Sequence, residues 1–504
     1  MKANFRRGAA GLCVLALTQC IGAGSVAAQS TKARAFDRRG WLADYAALKQ
    51  ELERSYSHLA WFGSPQGGVN LPVLERATRR ALERSRTDAE ASAAITAFVA
   101  AFHDGHLAPA SAPAAPGSAA AEPPEVERAA DARTACAAFG YAPLTRVAFS
   151  LPFESLPGFE LTSDGLATAF RSGILELDGR RIGIVRIPRF RPAEFPQVCE
   201  RAWESLRRSG TEPTRSAIRE SVDGEWLRTL AERLAELRAR NATVLLVDVG
   251  GNGGGNDLGD WAVRLFSRAP VRSAPLLLSA SPVAVPYYDE ELEGLRAALD
   301  SAQLPEATRT ALGRAVAEFE ARKRQASRGA CDMSWVWRER HPWGTSGCTR
   351  LVESGYASGA LAYAEPGSLD PRAARALYWA AIADSLRGVW NGRTYVLTDT
   401  ATGSAAEMFT ALIRDRGIAK TVGTHTFGLG CGFLDADEPF VLPRSRLAFR
   451  VPNCVRLRGD GTDEVAGVAP DLPVPARPGE SPRARAARTL RAIADDASAN
   501  AAHP

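Results

Sequence analysis

Gly250-Gly-Asn-Gly-Gly-Gly255 packs five glycines into six residues between an apolar run and a helical pattern. So little side chain leaves backbone N–H groups unshielded, as a loop that approaches an anion requires. Two phosphate readings fail on the residues. A P-loop needs Gly-Lys-Ser/Thr, and no lysine is present; a dinucleotide fingerprint begun at Gly251 or Gly253 ends on Asn256 or Leu258 instead of glycine. What remains is an oxyanion hole or a plain tight turn. A second stretch places Ser404 after Gly403 at the start of a helical pattern that follows a strand. There a serine serves as an N-cap or, given a base, as a nucleophile whose neighbour Ala405 offers a further N–H. Bases are scarce. The lysines are Lys2, Lys32, Lys49, Lys323 and Lys420, and none stands in a glycine-rich context. Of six histidines, His106 follows a helical stretch through Asp104-Gly105, and a neutral imidazole is the usual base for serine near pH 7.

The elements that must position these groups can be read from periodicity. Trp41, Tyr45, Leu48, Leu52 and Tyr56 recur at helical spacing, and Leu74 to Leu82 and Ala91 to Phe102 predict further helices. Ala108 to Pro124 is rich in Ala, Pro and Ser and reads as a linker. Short strands are predicted between Val147 and Ile187. Thr243-Val-Leu-Leu-Val-Asp-Val leads into the glycine loop, and Thr394-Tyr-Val-Leu-Thr-Asp leads into Gly403-Ser404 and a helix over Ala405 to Ile413. Strands alternating with helices predict an α/β core. Residues 276–384 read as an insertion with a charged helix (Glu290 to Lys323), a Trp-rich loop and another helix near Ala373 to Leu386. Trp335, Trp337 and Trp343 there either line a groove or pack a core.

At 504 residues, 45% hydrophobic and 24% charged, the composition is that of a globular chain of several domains. The net charge of +5 is small, with three of its positives at Lys2, Arg6 and Arg7, and makes no case for nucleic acid. Those three charges, the apolar stretch Ala9 to Gly24 and the small residues Val26-Ala27-Ala28 predict a secretory leader cut after Ala28. No other run reaches the ~20 apolar residues of a spanning helix. The leader takes Cys13 and Cys20, leaving Cys136, Cys199, Cys331, Cys348, Cys431 and Cys454. An even number in an exported chain predicts disulfides. Fifteen pairings are open to them; joining neighbours gives 136–199, 331–348 and 431–454.

Five segments, in order, resemble the C-terminal processing (tail-specific) serine proteases. Asp248-Val-Gly-Gly-Asn-Gly-Gly-Gly is similar to their D-L-R-G-N-G-G-G, and Thr402-Gly-Ser-Ala-Ala-Glu-Met-Phe to their nucleophile segment. Val422-Gly-Thr-His-Thr-Phe-Gly-Leu-Gly430 resembles V-G-x-x-T-F-G-K-G, and Val465-Ala-Gly-Val-Ala-Pro-Asp471 the closing G-V-x-P-D strand. Ile182-Gly-Ile-Val-Arg-Ile-Pro-Arg-Phe190 resembles the strand that opens their core. Leu429 stands where the family has its lysine base, and Gly250 where it has an arginine. An aliphatic side chain accepts no proton, which excludes a Ser/Lys dyad. The branch resembling the tricorn protease core pairs serine with histidine after a D-G-H motif, here Asp104-Gly105-His106, and Glu464 matches its acidic residue.

The resemblance thus implies Ser404 as nucleophile, His106 as base, Glu464 as the group that orients the imidazole, and Gly253 or Gly254 with Ala405 as oxyanion donors. It implies a ClpP/crotonase-like ββα core over 181–275 and 385–476, after an N-terminal helical domain (29–106) and a linker with a small β region (107–180) too short for a full PDZ domain. The mostly helical insertion (276–384) and a C-terminal tail (477–504) complete the expected organisation. The function so implied is an exported, secreted or periplasmic, serine peptidase acting on polypeptides, with no metal or organic cofactor. Asp460 and Asp463 read as an acidic turn. A silent binding protein on the same fold, or a serine esterase, are the alternatives.

Overall fold

The computed structural model describes residues 35–111, 131–301, 303–328, 331–344, 348–434 and 438–499. The expected leader with its cut after Ala28, Lys2, Lys32, much of the Ala/Pro/Ser stretch, and His503 lie outside these residues. The architecture is mixed α/β, with a helical N-terminal region and a central sheet. Seven strands form that sheet in the order Leu472–Pro473, Lys420–Gly423, Arg393–Thr398, Val244–Asp248, Arg180–Arg186, Ser172–Leu177 and Phe159–Ser163. The first five run parallel and the last two antiparallel. Two of the short strands before residue 181, Phe159–Ser163 and Ser172–Leu177, are part of this sheet.

Strand side chains alternate between faces, so a strand covered on both sides must be apolar throughout. Val244–Asp248 shows this. Leu245 and Val247 pack with Trp226, Leu230 and Phe409 from the helices Arg215–Ala239 and Ala405–Asp415. Val244 and Leu246 face the other way, onto Leu490 and Ile493 of the C-terminal helix Pro482–Ala499. Parallel strands all point their carboxyl ends to one side, and loops there collect function. Asp248, Thr398 and Gly423 end their strands on that side, which aligns the glycine loop, the Ser404 turn and the 424–430 loop.

The helices Arg38–Ser55, Leu71–Arg84 and Asp88–Ala100 bury a shared apolar core that also takes in Val336, Trp337, Phe449 and Val465. Trp337 is thus a core residue whose Nε1 donates to Glu53 at 2.6 Å, and Trp343 packs edge-on against Trp61. In the insertion, the helices Val285–Leu299 and Glu306–Arg328 pack on an antiparallel strand pair, Pro275–Ser279 with Leu351–Tyr356, that Cys454–Arg456 extends. The three neighbour pairings, Cys136–Cys199, Cys331–Cys348 and Cys431–Cys454, are the disulfides present. Among the described residues no helix is long and apolar enough to cross a membrane.

Candidate active site

Ser404 sits where the strand Arg393–Thr398 turns into the helix Ala405–Asp415. Its backbone has φ +54° and ψ −123°, on the left-handed side that a residue with a Cβ avoids. Holding it there costs about 1–3 kcal/mol, which the surrounding contacts must supply. They come from the glycine loop: Gly403 N donates to Asn252 O at 3.0 Å, and the Thr402 hydroxyl donates to Val249 O at 3.1 Å. Gly254 lies so close that a Cβ on it would fall 2.6 Å from Ser404 Cβ and 2.9 Å from Ala405 N. With φ +109° and no room, this position takes glycine alone.

Two of the expected oxyanion donors are free. Gly253 N and Ala405 N have no acceptor in the structure, whereas Gly254 N donates to Asn252 Oδ1 at 2.8 Å. Of the two glycines, Gly253 is thus the one whose N–H is left without an acceptor. Position 250 contributes no side chain, and the cation beside the glycine loop comes from another strand. Arg186 pairs with the buried Asp248 carboxylate at 3.1 Å, while Ser150 donates to it through both N and Oγ and occupies the space a side chain at 250 would need.

Leu429 lies between the residues that precede His106 and Ser404. The Leu429 side chain lies against both preceding glycines: a Cβ on Gly105 would be 2.4 Å from Cδ2, and one on Gly403 2.5 Å from Cδ1. Its carbonyl takes His106 Nδ1 at 3.1 Å. A carbonyl only accepts, so Nδ1 carries the proton and Nε2 is left with a free lone pair. Burial, with the positive charges of His58, Arg456 and Arg450, pulls the His106 pKa down to about 4, against the opposing Leu429 bond. The ring is neutral at pH 7. Ser404 Oγ and the ring share no hydrogen bond in this structure.

The expected bond from Glu464 to the imidazole is not formed. Glu464 is fully buried and its Oε2 accepts from Arg456 Nε, so the peptide oxygen of Leu429 does the orienting. Burial holds the Glu464 carboxyl above its usual range, with Arg456 opposing. The acidic turn is ordinary at Asp460, which accepts from Thr462. Among the described residues no cluster of side chains is arranged for a metal ion. Lys49, Lys323 and Lys420 are ion-paired with Glu75, Asp289 and Asp496.

Two supports escaped the reading from sequence. Glu407, fully buried, accepts from Ser404 N, Thr426 Oγ1, Gly428 N, Leu429 N and Gly430 N at 2.6–3.3 Å. One carboxylate thereby ties the Ser404 turn to the loop that holds His106. Ser404-Ala-Ala-Glu407 has capping-box spacing, the signal that could have found it. His58, also fully buried, has Nδ1 2.7 Å from Asp463 and Nε2 2.9 Å from Cys431 O. Two acceptors around one ring require protons on both nitrogens, so this ring is an imidazolium. Burial lowers its pKa, but Asp463 and Asp104 outweigh that and leave it at about 9. Tyr56 donates to Asp104 at 2.7 Å, and Asp104 accepts from His106 N at 2.8 Å. The helical region is thereby bonded to both sides of the site.

Residues 320–474 match the model of peptidase family S41. That stretch is similar to the C-terminal processing serine peptidases. No curated protein matches it. Among solved structures, a CPAF point mutant aligns at a TM-score of 0.53 and 14% identity, over 90% of this chain and 96% of that one. Mature CPAF complexed with lactacystin aligns at 0.50 and 13%, over 90% and 97%. At such identities the likeness is one of fold. The family match spans Ser404, Leu429 and Glu464 but neither the glycine loop nor His106.

Proposed function

We propose that this protein is an exported serine peptidase of the S41 type that cleaves peptide bonds with Ser404 as nucleophile and His106 as its base. His106 Nε2 takes the Ser404 proton as Oγ attacks the substrate carbonyl, and the oxyanion that forms is held by Gly253 N and Ala405 N. The imidazolium then protonates the leaving amine. Water, deprotonated by the same nitrogen, attacks the acyl-serine and releases the carboxylate product and the free enzyme. Glu464 is a positioning residue in this scheme: it anchors Arg456, one of the cations that keep His106 neutral. The observation that carries the reading is the His106 Nδ1 bond to Leu429 O, from a residue whose side chain also touches the Ser404 turn. It supports a histidine base in the region where relatives use lysine. Three disulfides and the leader-like N-terminus support export.

A fluorophosphonate probe tests the scheme. Wild type should label at Ser404, Ser404→Ala should not label at all, and His106→Ala should label at least about a hundredfold more slowly. Folded wild type that does not label, or His106→Ala that labels at the wild-type rate, would overturn it.

A further inference from the structure

Four of the five glycines in the 250–255 loop have a plain reason to be glycine, and Gly253 does not share it. Gly251, Gly254 and Gly255 have φ +69°, +109° and +157°, and a Cβ on Gly250 would fall 2.5 Å from Ser150 Oγ. Gly253 lies outside the left-handed region. Beyond its own chain neighbours, all that a Cβ on it would meet within 4 Å is the end of Arg189, with Nη1 at 3.3 Å and Cζ at 4.0 Å. The backbone holds Arg189 in that place. Ile187 O accepts from Asn252 Nδ2 at 2.9 Å, Phe190 N donates to Gly254 O at 3.0 Å, and Phe190 O accepts from Asn256 N at 2.8 Å. The glycine loop thus grips the chain on both sides of Arg189, and Phe190 is wholly buried. The guanidinium itself is little used. Its Nε stands 3.8 Å from Glu194 Oε1, which already accepts from Arg191 at 2.6 Å. Among the described residues Nη1 and Nη2 find no acceptor, and the side chain is 38% exposed. A cation therefore lies beside the unaccepted N–H of Gly253, next in the chain to the glycine packed against Ser404.

We propose that Arg189 is a further catalytic residue: its guanidinium joins Gly253 N and Ala405 N as a charged donor to the oxyanion that forms when Ser404 attacks the substrate carbonyl. This deepens the assignment of Ser404 as nucleophile and rests on it. No additional bond is made or broken. The guanidinium donates hydrogen bonds without giving up a proton, and the negative charge returns to the carbonyl as the leaving amine departs. Two neutral N–H groups leave that charge uncompensated, whereas a nearby cation offsets it, and a hydrogen bond between two ions is roughly twice as strong as a neutral one. The room that glycine leaves at 253 is the room the guanidinium needs. Removing one oxyanion donor from an enclosed site slows turnover about a hundredfold or more. Water screens a half-exposed arginine, so its removal should cost at least about tenfold.

Fluorophosphonate labelling tests this, because its transition state puts a negative phosphonyl oxygen where the peptide oxyanion would lie and the probe carries no acidic side chain. Arg189→Ala should label at least about tenfold more slowly than wild type. Arg189→Lys, which keeps the charge but not the fork of donors, should fall between the two, and both variants should melt at the wild-type temperature. Millimolar guanidinium should restore part of the Arg189→Ala rate and leave the wild-type rate unchanged, a result that a purely structural role does not produce. Arg189→Ala that labels at the wild-type rate would overturn the inference and leave Ser404 and His106 in their roles. A loss that guanidinium does not restore, or that comes with a lowered melting temperature, would make Arg189 a support of the loop and overturn it too. Folded wild type that does not label would overturn the catalytic reading and this inference with it.

Discussion

Replacing His58 with alanine removes a buried cation from Asp463, and the structure sets both the size and the pH dependence of the effect. The His58 ring is wholly buried and holds its proton up to about pH 9, against 6.5 for a free histidine. That difference, at about 1.4 kcal/mol for each pH unit, is about 3 kcal/mol of stability. A folded-state pKa above the unfolded one fixes the sign: the contribution is complete below pH 6.5 and is lost as pH rises through 9. The variant lacks it and strands a buried carboxylate as well, which costs roughly 3–5 kcal/mol at neutral pH. Urea unfolding followed by tryptophan fluorescence, run on both proteins at intervals from pH 6 to 10, measures the gap. It should narrow by about 3 kcal/mol across that range, and His58→Ala/Asp463→Ala should recover part of the loss at pH 7. A gap that stays constant from pH 6 to 10 would refute the charged, buried pair. The same substitution removes one of the cations that depress His106, so the acid limb of probe labelling should move upward in pH.

In wild type, Ser404 labelling should be half-maximal near pH 4 and flat by pH 6, because the base is neutral once pH exceeds its lowered pKa. An acid limb near 6.5 would mean an imidazole open to water. Glu407→Gln leaves one acceptor oxygen and a donating NH2 against five donors, so calorimetry should show a loss of about 3 kcal/mol or more. Labelling should slow at least about a hundredfold while the Cys431–Cys454 bond is retained, and unchanged labelling would show that the loop keeps its place without the carboxylate.

Local pattern made the elements and the parts list legible. Strand runs ending in glycines, helical spacing from Trp41 to Tyr56 and the Gly403-Ser404 turn each carry their signal within a few residues, and they stand where the periodicity predicts. The loss of a base at Leu429 was equally readable, since side-chain chemistry needs no fold. The partners of those parts were not legible, because they come from distant segments. Arg186 pairs with Asp248 because parallel register sets the two opposite each other. The Leu429 carbonyl takes the orienting bond expected of Glu464, and no side-chain pattern reports where a peptide oxygen points. Chain chemistry alone thus determined which groups are able to react. Tertiary packing decided which of them touch, since a hydrogen bond depends on tenths of an ångström between atoms 323 residues apart.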